Sequence, residues 1–322
     1  QGKESVVMDY KQADDKALLE TLISKADVFV RNLAPGAMAR AGFGSADLRK
    51  RYPKLITCDI SGYGDSEKMA GMKSYDFLVQ AETGLVELSG GPNEIGRIGV
   101  SICDIGAGMT AHAALMEALF LRERSGDGAS VHVSLFDVAA EWMAVPLMHN
   151  DFGNGPPTRQ GLHHPSIAPY GAYRTADQVD TIVSIQNERE WRRFCRTVLG
   201  DEAIADDELF VSNNLRVANR AALDETINKV TSTLTSELFR ERLLEASIAH
   251  GRLNTVDQLS HHDALRRKTV LNSAGDIVTV PAPPIMWAGR ELETGDGVPK
   301  LGAHTESIKA EFLKIKQADV AS

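Results

Sequence analysis

The chain has 322 residues, 43% hydrophobic and 25% charged, a balance that suits soluble globular domains and leaves room for two of them. Its formal net charge is −9, and no basic run is longer than Arg266-Arg267-Lys268, which argues against a nucleic-acid partner. No stretch nears the roughly 18 consecutive apolar residues of a membrane helix, and the start lacks a basic-then-apolar leader, so a cytoplasmic protein is expected, with no membrane partner.

The opening QGKESVVMDY enters at once into a strand-like run, as though further residues preceded it. In that reading SVVMDY is a β-branched strand, followed by a helix over DDKALLETLISKA with an acidic first turn. DVFVRNL reads as the next strand. PGAMARAGFG opens a short helix, a second begins with Ser45 as its N-cap, and LITCDIS is a further strand. A long Ala-rich helix follows Asp104 and ends at Gly126 and Gly128. ASVHVSLFDVAAEWMA then gives a strand running into a helix. Beyond Pro146 the proline- and glycine-rich stretch to Tyr173 reads as a linker or active-site loop. A strand at TIVSIQ, a helix at REWRRFCRTVLG, two amphipathic helices within 217–249, an extended DIVTVPAPPIMW and a final helix at SIKAEFLKIKQ complete the chain.

Strands alternating with helix-length spacers imply βαβ units and a mainly parallel sheet, hence an α/β fold with a Rossmann-like large domain. We expect that domain at 1–150, completed by 275–322, with a smaller α+β domain at 160–258 and a linker at 259–274. Neither GxGxxG nor GxxxxGK[ST] occurs, so no nucleotide cofactor follows from the fold. Cys58, Cys103 and Cys195 are isolated and lack metal-ligand spacing; they read as reduced core thiols, and no metal site is expected.

One acid stands apart. In GVSICDIGAG, residues 99–108, Asp104 follows an apolar run that reads as the end of a buried strand, and precedes Gly106 and Gly108, which open a helix. A carboxylate there would lie near the positive helix end, with glycines leaving room for a ligand, and could act as a nucleophile. The plainer reading makes Asp104 only a helix cap, and local sequence favours that one.

The blocks DVFVRNLAPGAMARAGFG, PKLITCDISGYG, KSYDFLVQAETGLVELSG, and GVSICDIGAG continuing to VSLFDV resemble the class III CoA-transferase family. That family, of CaiB/BaiF type, includes formyl-CoA, carnitine and mesaconyl-CoA transferases and α-methylacyl-CoA racemases. The resemblance extends through HHPSIAPYGAY, RLNTVDQL, VPAPPI and LGAHTE to nearly the whole chain. It implies that Asp104 is the catalytic carboxylate, attacking an acyl-CoA thioester to give an aspartyl anhydride and then an aspartyl-CoA thioester. It also implies CoA as a substrate with no permanently bound cofactor, a Rossmann-like large domain built from both chain ends with a small middle domain, and an interlocked homodimer. Asn32, Leu33 and Arg40 match the family's CoA-binding stretch, Arg40 at a set spacing after Pro35-Gly36, and Lys11 and Lys73 match positions near the nucleotide phosphates. Apart from the resemblance, Arg40 and both lysines read as solvated surface charges.

Tyr75 and Asp76 separate two branches of the family. Racemases carry histidine at the place of Tyr75, because proton exchange needs a group titrating near neutrality, whereas a phenol titrates near ~10. Transfer is therefore favoured, with an acyl-CoA racemase or epimerase, or a non-catalytic CoA-ester-binding protein, as alternatives. Tyr75 is assigned to CoA binding and Asp76 to support of the site. His163 and His164, with Arg159 and Arg174 as further candidates, could reach the distal carboxylate of an acyl group, and the match in that region points to C4–C5 dicarboxylic acids. His112, His261 and His262 read as structural.

Overall fold

VFVR and ITCDIS are the β-branched runs from which the first sheet grows. The computed structural model describes residues 2–33, 36–64, 66–69, 71–289 and 297–319, with side chains to Phe312. Its elements begin with α1 (Ala13–Lys25), β1 (Val28–Arg31), α2 (Ala37–Arg40), α3 (Ser45–Arg51), β2 (Ile56–Ser61), α4 (Asp76–Glu82), α5 (Leu85–Leu88), β3 (Gly90–Gly91) and β4 (Glu94–Ile95). Next come α6 (Ile102–Ser125), β5 (Ser130–Ser134), α7 (Leu135–Trp142), α8 (Ala144–Phe152), β6 (Tyr170–Arg174), β7 (Asp180–Ser184) and α9 (Glu188–Arg193), which runs into a π-helical turn, Phe194–Leu199. The remainder is α10 (Asn213–Ala218), α11 (Arg220–Thr231), α12 (Ser236–Glu245), β8 (Ala249–Arg252), α13 (Val256–Ser260), β9 (Arg267–Leu271), β10 (Ile277–Pro281) and α14 (Thr305–Asp319).

The fold is mixed α/β with small sheets, in two compact units. The first comprises residues 1–79, 101–141 and 260–322. Here β1, β2 and β5 pair in parallel in that order, with Val30 opposite Cys58 and Cys58 opposite Val131. Parallel neighbours need helical crossovers, and the sequence supplies them as α2–α3 and α6. Met38, Phe43, Leu48 and Leu55 pack with Ile23 beneath those helices, each at most 5% exposed. β9 and β10 form an antiparallel hairpin with Val270 opposite Val278.

The second unit comprises residues 80–100 and 142–259. β6, β7 and β8 make an antiparallel sheet, and on it packs a core that includes Tyr173, Trp191, Phe194, Leu223, Ile227, Phe239 and Leu243. At about 1.5–3 kcal/mol for each large side chain removed from water, this cluster dominates the stability of the unit. Arg216, 1% exposed, donates to the carbonyls of Ala168 and Phe210 and pairs with Glu188, while its guanidinium lies 5.0 Å from the Trp191 ring.

Four local expectations are corrected. SVVMDY forms no strand; its polar groups go instead to the start of α14, since Ser5 N–H donates to His304 Nδ1 at 2.9 Å and Val7 N–H to Thr305 Oγ1 at 3.0 Å. Ser45 does not cap α3: Gly44 precedes the helix, and the Ser45 hydroxyl donates across to Asp59 at 2.7 Å. Pro146 lies in the first turn of α8, where a missing N–H breaks no helical bond, so 144–152 is helix rather than linker. The apolar run before Asp104 is the beginning of α6, not a strand. The end of that helix is as expected, with Gly126 in the left-handed region at φ 81°. All three cysteines are free and buried.

Beyond Gly126 the chain crosses tightly over the 53–55 turn. Gly128 N–H donates to Pro53 O at 2.8 Å, and a Cβ on Gly128 would collide with the Leu55 carbonyl. Gly128→Ala is expected to cost about 1–3 kcal/mol, measurable as a lower denaturant midpoint at unchanged m-value.

Candidate active site

The first turn of a helix leaves backbone N–H groups without helical partners. In α6 the N-cap Ser101 offers no side-chain bond, and the shortfall is met by Asp76, the first residue of α4. Asp76 Oδ2 accepts the N–H of Cys103 at 2.8 Å and of Asp104 at 3.3 Å, and Ile105 N–H closes on Ser101 O at 2.9 Å. The helical phase then turns Cys103, Gly106 and Ala107 inward and leaves Asp104, Ile105 and Gly108 exposed. A Cβ on Gly108 would meet nothing within 4 Å, so this face is open.

Two carboxylates thus share one helix end. Asp76 is buried at 9% exposure, while Asp104 is exposed. A helix N-terminus ordinarily favours an ionised carboxylate; here the Asp104 pKa is instead raised, first by partial burial of its carboxyl and then by the Asp76 charge. The same causes, burial ahead of Asp76 and Asp104, push the Cys103 thiol up to about 11, which keeps it protonated and non-nucleophilic near neutrality.

The KSYD segment presents Lys73 and Tyr75 outward, Tyr75 at 68% exposure, and turns Asp76 in. Ser74 fixes this arrangement by lying directly on Gly62, where any Cβ would collide with its hydroxyl. Gly62 follows β2, and its carbonyl accepts Phe136 N–H at 3.0 Å. Sequence reasoning missed Gly62 and Ser74; the one signal available for them was a glycine directly after a β-branched strand, in DISGYG.

Asn32 and Leu33 are exposed just beyond β1. Arg40 ends α2, and its guanidinium folds back over Gly36, where a Cβ would lie 2.9 Å from Nη1. Pro35 lies outside the described residues. Lys11 is exposed, and its N–H donates to Asp9 Oδ1 at 3.0 Å. All these residues, with Asp104, belong to the first unit.

The histidine pair belongs to the second unit, and its members differ. His163 turns in: Nε2 lies 3.7 Å from Asp224 Oδ2, whose other oxygen accepts the Tyr173 hydroxyl at 3.0 Å, and its Nδ1 is buried against Gly171 without a hydrogen-bond partner. Burial, then the Asp224 charge, raise the Tyr173 pKa and keep its hydroxyl a donor. His164 stacks on Tyr170 with ring centroids 5.2 Å apart, and its Nδ1 accepts Ser166 N–H at 3.2 Å. Arg174 is engaged by both oxygens of Asp180 at 2.9 and 2.8 Å. Arg159 lines a cleft of about 540 Å³ with Met143, Leu147, Asn150 and Pro157, but its charge is met there by Glu87 at 2.8 Å. Among the described residues no cluster of three or more His, Cys, Asp or Glu could hold a metal ion.

An exposed carboxylate on a capped helix end, beside the open surface at Gly108, is an arrangement on which acyl chemistry can run. Residues 1–305 match CoA-transferase family III, and the chain belongs to that family. It is 31% identical to the succinate–glutarate CoA-transferase of Agrobacterium fabrum over 98% of this chain and 80% of that protein. It is 30% identical to the acetyl-CoA:oxalate CoA-transferase of Acetobacter aceti over 97% of this chain and 80% of that one. A solved CaiB/BaiF family protein from Brucella suis superposes with a TM-score of 0.81 at 30% identity, covering 97% of this chain and 82% of the other.

If Asp76 raises the Asp104 pKa, Asp76→Asn removes the second of its two causes and leaves burial in place. The Asp104 carboxyl carbon, followed by NMR, is expected to titrate at lower pH in that variant than in the parent, yet above an ordinary aspartate. An unchanged titration would show that the two acids do not communicate.

Proposed function

We propose that this enzyme moves CoA between an acyl-CoA thioester and a dicarboxylic acid of the C4–C5 class, such as succinate, mesaconate, itaconate or citramalate, with Asp104 as the covalent carrier. The observation that carries the reading is the exposed Asp104 carboxylate at the Asp76-capped start of α6. The two acids in the name of the Agrobacterium fabrum relative, succinate and glutarate, are C4 and C5 dicarboxylates and support the substrate class, while the Acetobacter aceti relative's name pairs the C2 diacid oxalate with acetyl-CoA.

In the proposed cycle an Asp104 oxygen attacks the thioester carbonyl, the C–S bond breaks, and CoA thiolate leaves an aspartyl–acyl anhydride. The thiolate then attacks the aspartyl carbonyl, releasing the first acid and forming an aspartyl-CoA thioester. The second acid attacks that thioester, regenerating thiolate and a new anhydride, whose acyl carbonyl the thiolate takes to give the new acyl-CoA and free Asp104. No proton or electron is gained or lost, so neither base nor redox group is required. Asp76 holds the helix end, Asn32, Leu33, Arg40 and Tyr75 are assigned to CoA, Arg40 through paired donors to its phosphates, and Lys11 and Lys73 also to the phosphates. His163 and His164 are assigned to the acid's distal end. Tyr75 in place of a histidine disfavours the racemase reading.

A Rossmann-like large domain is supported by the parallel β1–β2–β5 order with helical crossovers. An interlocked homodimer is supported by apolar surface needing cover. Ile105, Met109, Met116 and Phe120 form a stripe along one side of α6, 48–67% exposed, and Val145, Met148 and Phe152 do the same on α8 at 62–86%. The cytoplasmic assignment rests on three free, buried thiols suited to a reducing compartment.

Asp104→Ala is expected to lower kcat by at least about 10³-fold, the scale seen when a covalent catalyst loses its nucleophile. Hydroxylamine added during turnover should convert Asp104 to a hydroxamate detectable by peptide mass spectrometry. Activity retained in Asp104→Ala would overturn the assignment.

Stability should move the other way. The folded pKa of Asp104 is raised above its unfolded value, so the native state binds the extra proton and ionisation weakens the fold above that range. Asp104→Asn is therefore expected to melt higher than the parent at neutral pH, with the gain vanishing as pH falls below the unfolded carboxylate pKa. For the substrate class, a donor-by-acceptor matrix read by mass spectrometry should show C4–C5 diacids outrunning monocarboxylates, and equal rates would refute it.

A further inference from the structure

Across the three-stranded sheet runs a row of ionisable side chains that the proposed chemistry does not use. Arg31, the last residue of β1, is in register with Asp59 on β2, which is in register with His132 on β5. Arg31 Nε and Asp59 form a close ion pair, with the two side chains only 20% and 18% exposed. The guanidinium does not stop there: Nη1 donates to Phe43 O and Nη2 to Ser45 Oγ, each at 3.2 Å, while the Ser45 hydroxyl donates to Asp59 Oδ2 at 2.7 Å. His132 Nε2 stands 4.0 Å from the same oxygen.

We propose that Arg31, held by Asp59 and Ser45, is a positioning residue that fixes residues 36–44 and so presents Arg40 to the phosphates of CoA. The inference rests on the assignment of Arg40 to CoA given above.

Arg31 closes β1, and its guanidinium grips the far end of residues 36–44 at the Phe43 carbonyl. From Phe43 the restraint passes back through the backbone, because Phe43 N–H donates to Met38 O at 2.8 Å and Gly42 N–H to Ala39 O at 3.0 Å. Phe43 and Met38 are buried at 0% and 5% exposure, which pins both sides of Arg40 to the core. Arg40 itself is exposed, so its backbone is set while its guanidinium remains available. A planar fork suits this task, since one group can meet a carboxylate, a carbonyl and a hydroxyl in fixed directions.

A sheet does not need such a row. Burying two charges between strands has a desolvation cost that apolar residues would avoid, so the pair is weak evidence of added stability. Asp59 remains charged: burial works to raise its pKa, but the Arg31 and Ser45 hydrogen bonds and the Arg31 charge outweigh it and hold the carboxyl below its ordinary value.

Steady-state kinetics with acyl-CoA varied at saturating acid would test the proposal in the full-length chain, using Arg31→Lys, Asp59→Asn and Arg40→Ala. Arg31→Lys keeps a charge facing Asp59 but loses the fork, so its folding is protected. Both Arg31→Lys and Asp59→Asn are expected to raise KM for acyl-CoA about tenfold, the scale of one lost hydrogen bond to a charged group, with kcat within about twofold and KM for the acid unchanged. Arg40→Ala should raise the same KM. If Arg40→Ala does so and Arg31→Lys does not, the positioning role falls while the CoA assignment stands; if neither does, both fall. A lowered melting temperature in Arg31→Lys with KM unmoved would mark the row as structural only and overturn the proposal.

Discussion

One carboxylate, that of Asp76, holds the beginning of α6, and the chemistry assigned to Asp104 depends on it. Both Cys103 and Asp104 give their N–H groups to the same oxygen, so the backbone of the proposed nucleophile is fixed by the group that also perturbs its charge. A cap made by a serine or threonine at Ser101 would satisfy the same N–H groups without adding a negative charge nearby. Here the cap comes from a different element, which couples the start of α4 to the start of α6.

Around that interaction the first unit repeats one device: a rigid backbone held from beneath carries exposed polar side chains on its outer face. Ser74 seats on Gly62 and leaves Lys73 and Tyr75 outward; Phe43 and Met38 sink into the core and leave Arg40 outward; Cys103 and Ala107 face in and leave Asp104 outward. Groups placed this way would lose little backbone entropy on binding the proposed substrate. The second unit applies the same logic to the 163–170 loop, whose carbonyls at His164, Ile167 and Ala168 are taken by Arg220 and Arg216.

Most of the elements were legible because their signals were local. Gly126 stops α6 where a left-handed residue is required, and ITCDIS carries the β-branched pattern of an inner strand. The misread elements were those whose partners lie far away in sequence. SVVMDY looks like a strand until its N–H groups are found bonded to His304 and Thr305. The four residues ICDI fit a strand or a helix start equally well, and only the acceptor at Asp76 decides for the helix. Ser45 has the right identity for a cap, yet Asp59 offers its hydroxyl an ionised acceptor, a stronger bond than the helix can give. For the site, Asp104 gained its meaning from family resemblance, while Arg31, Asp59, Gly62 and Ser74 are visible only once the strands are in register.

The paired acids also bear on why the proposed cycle can turn over. In the free enzyme Asp104 faces the Asp76 charge, and that repulsion contributes to its raised pKa. Acylation converts the Asp104 carboxylate to a neutral anhydride, and attack by CoA gives an equally neutral thioester, so the repulsion present before reaction is relieved in both covalent states. A carboxylate is a weak nucleophile and its anhydride is high in energy; discomfort in the resting charge narrows the gap from below without any new contact to the acyl group. The effect is confined to the charge, because the Asp76 bonds to the Cys103 and Asp104 N–H groups involve the backbone and can persist in every state. In the proposed cycle one side chain can therefore hold the nucleophile still and favour its acylation at the same time.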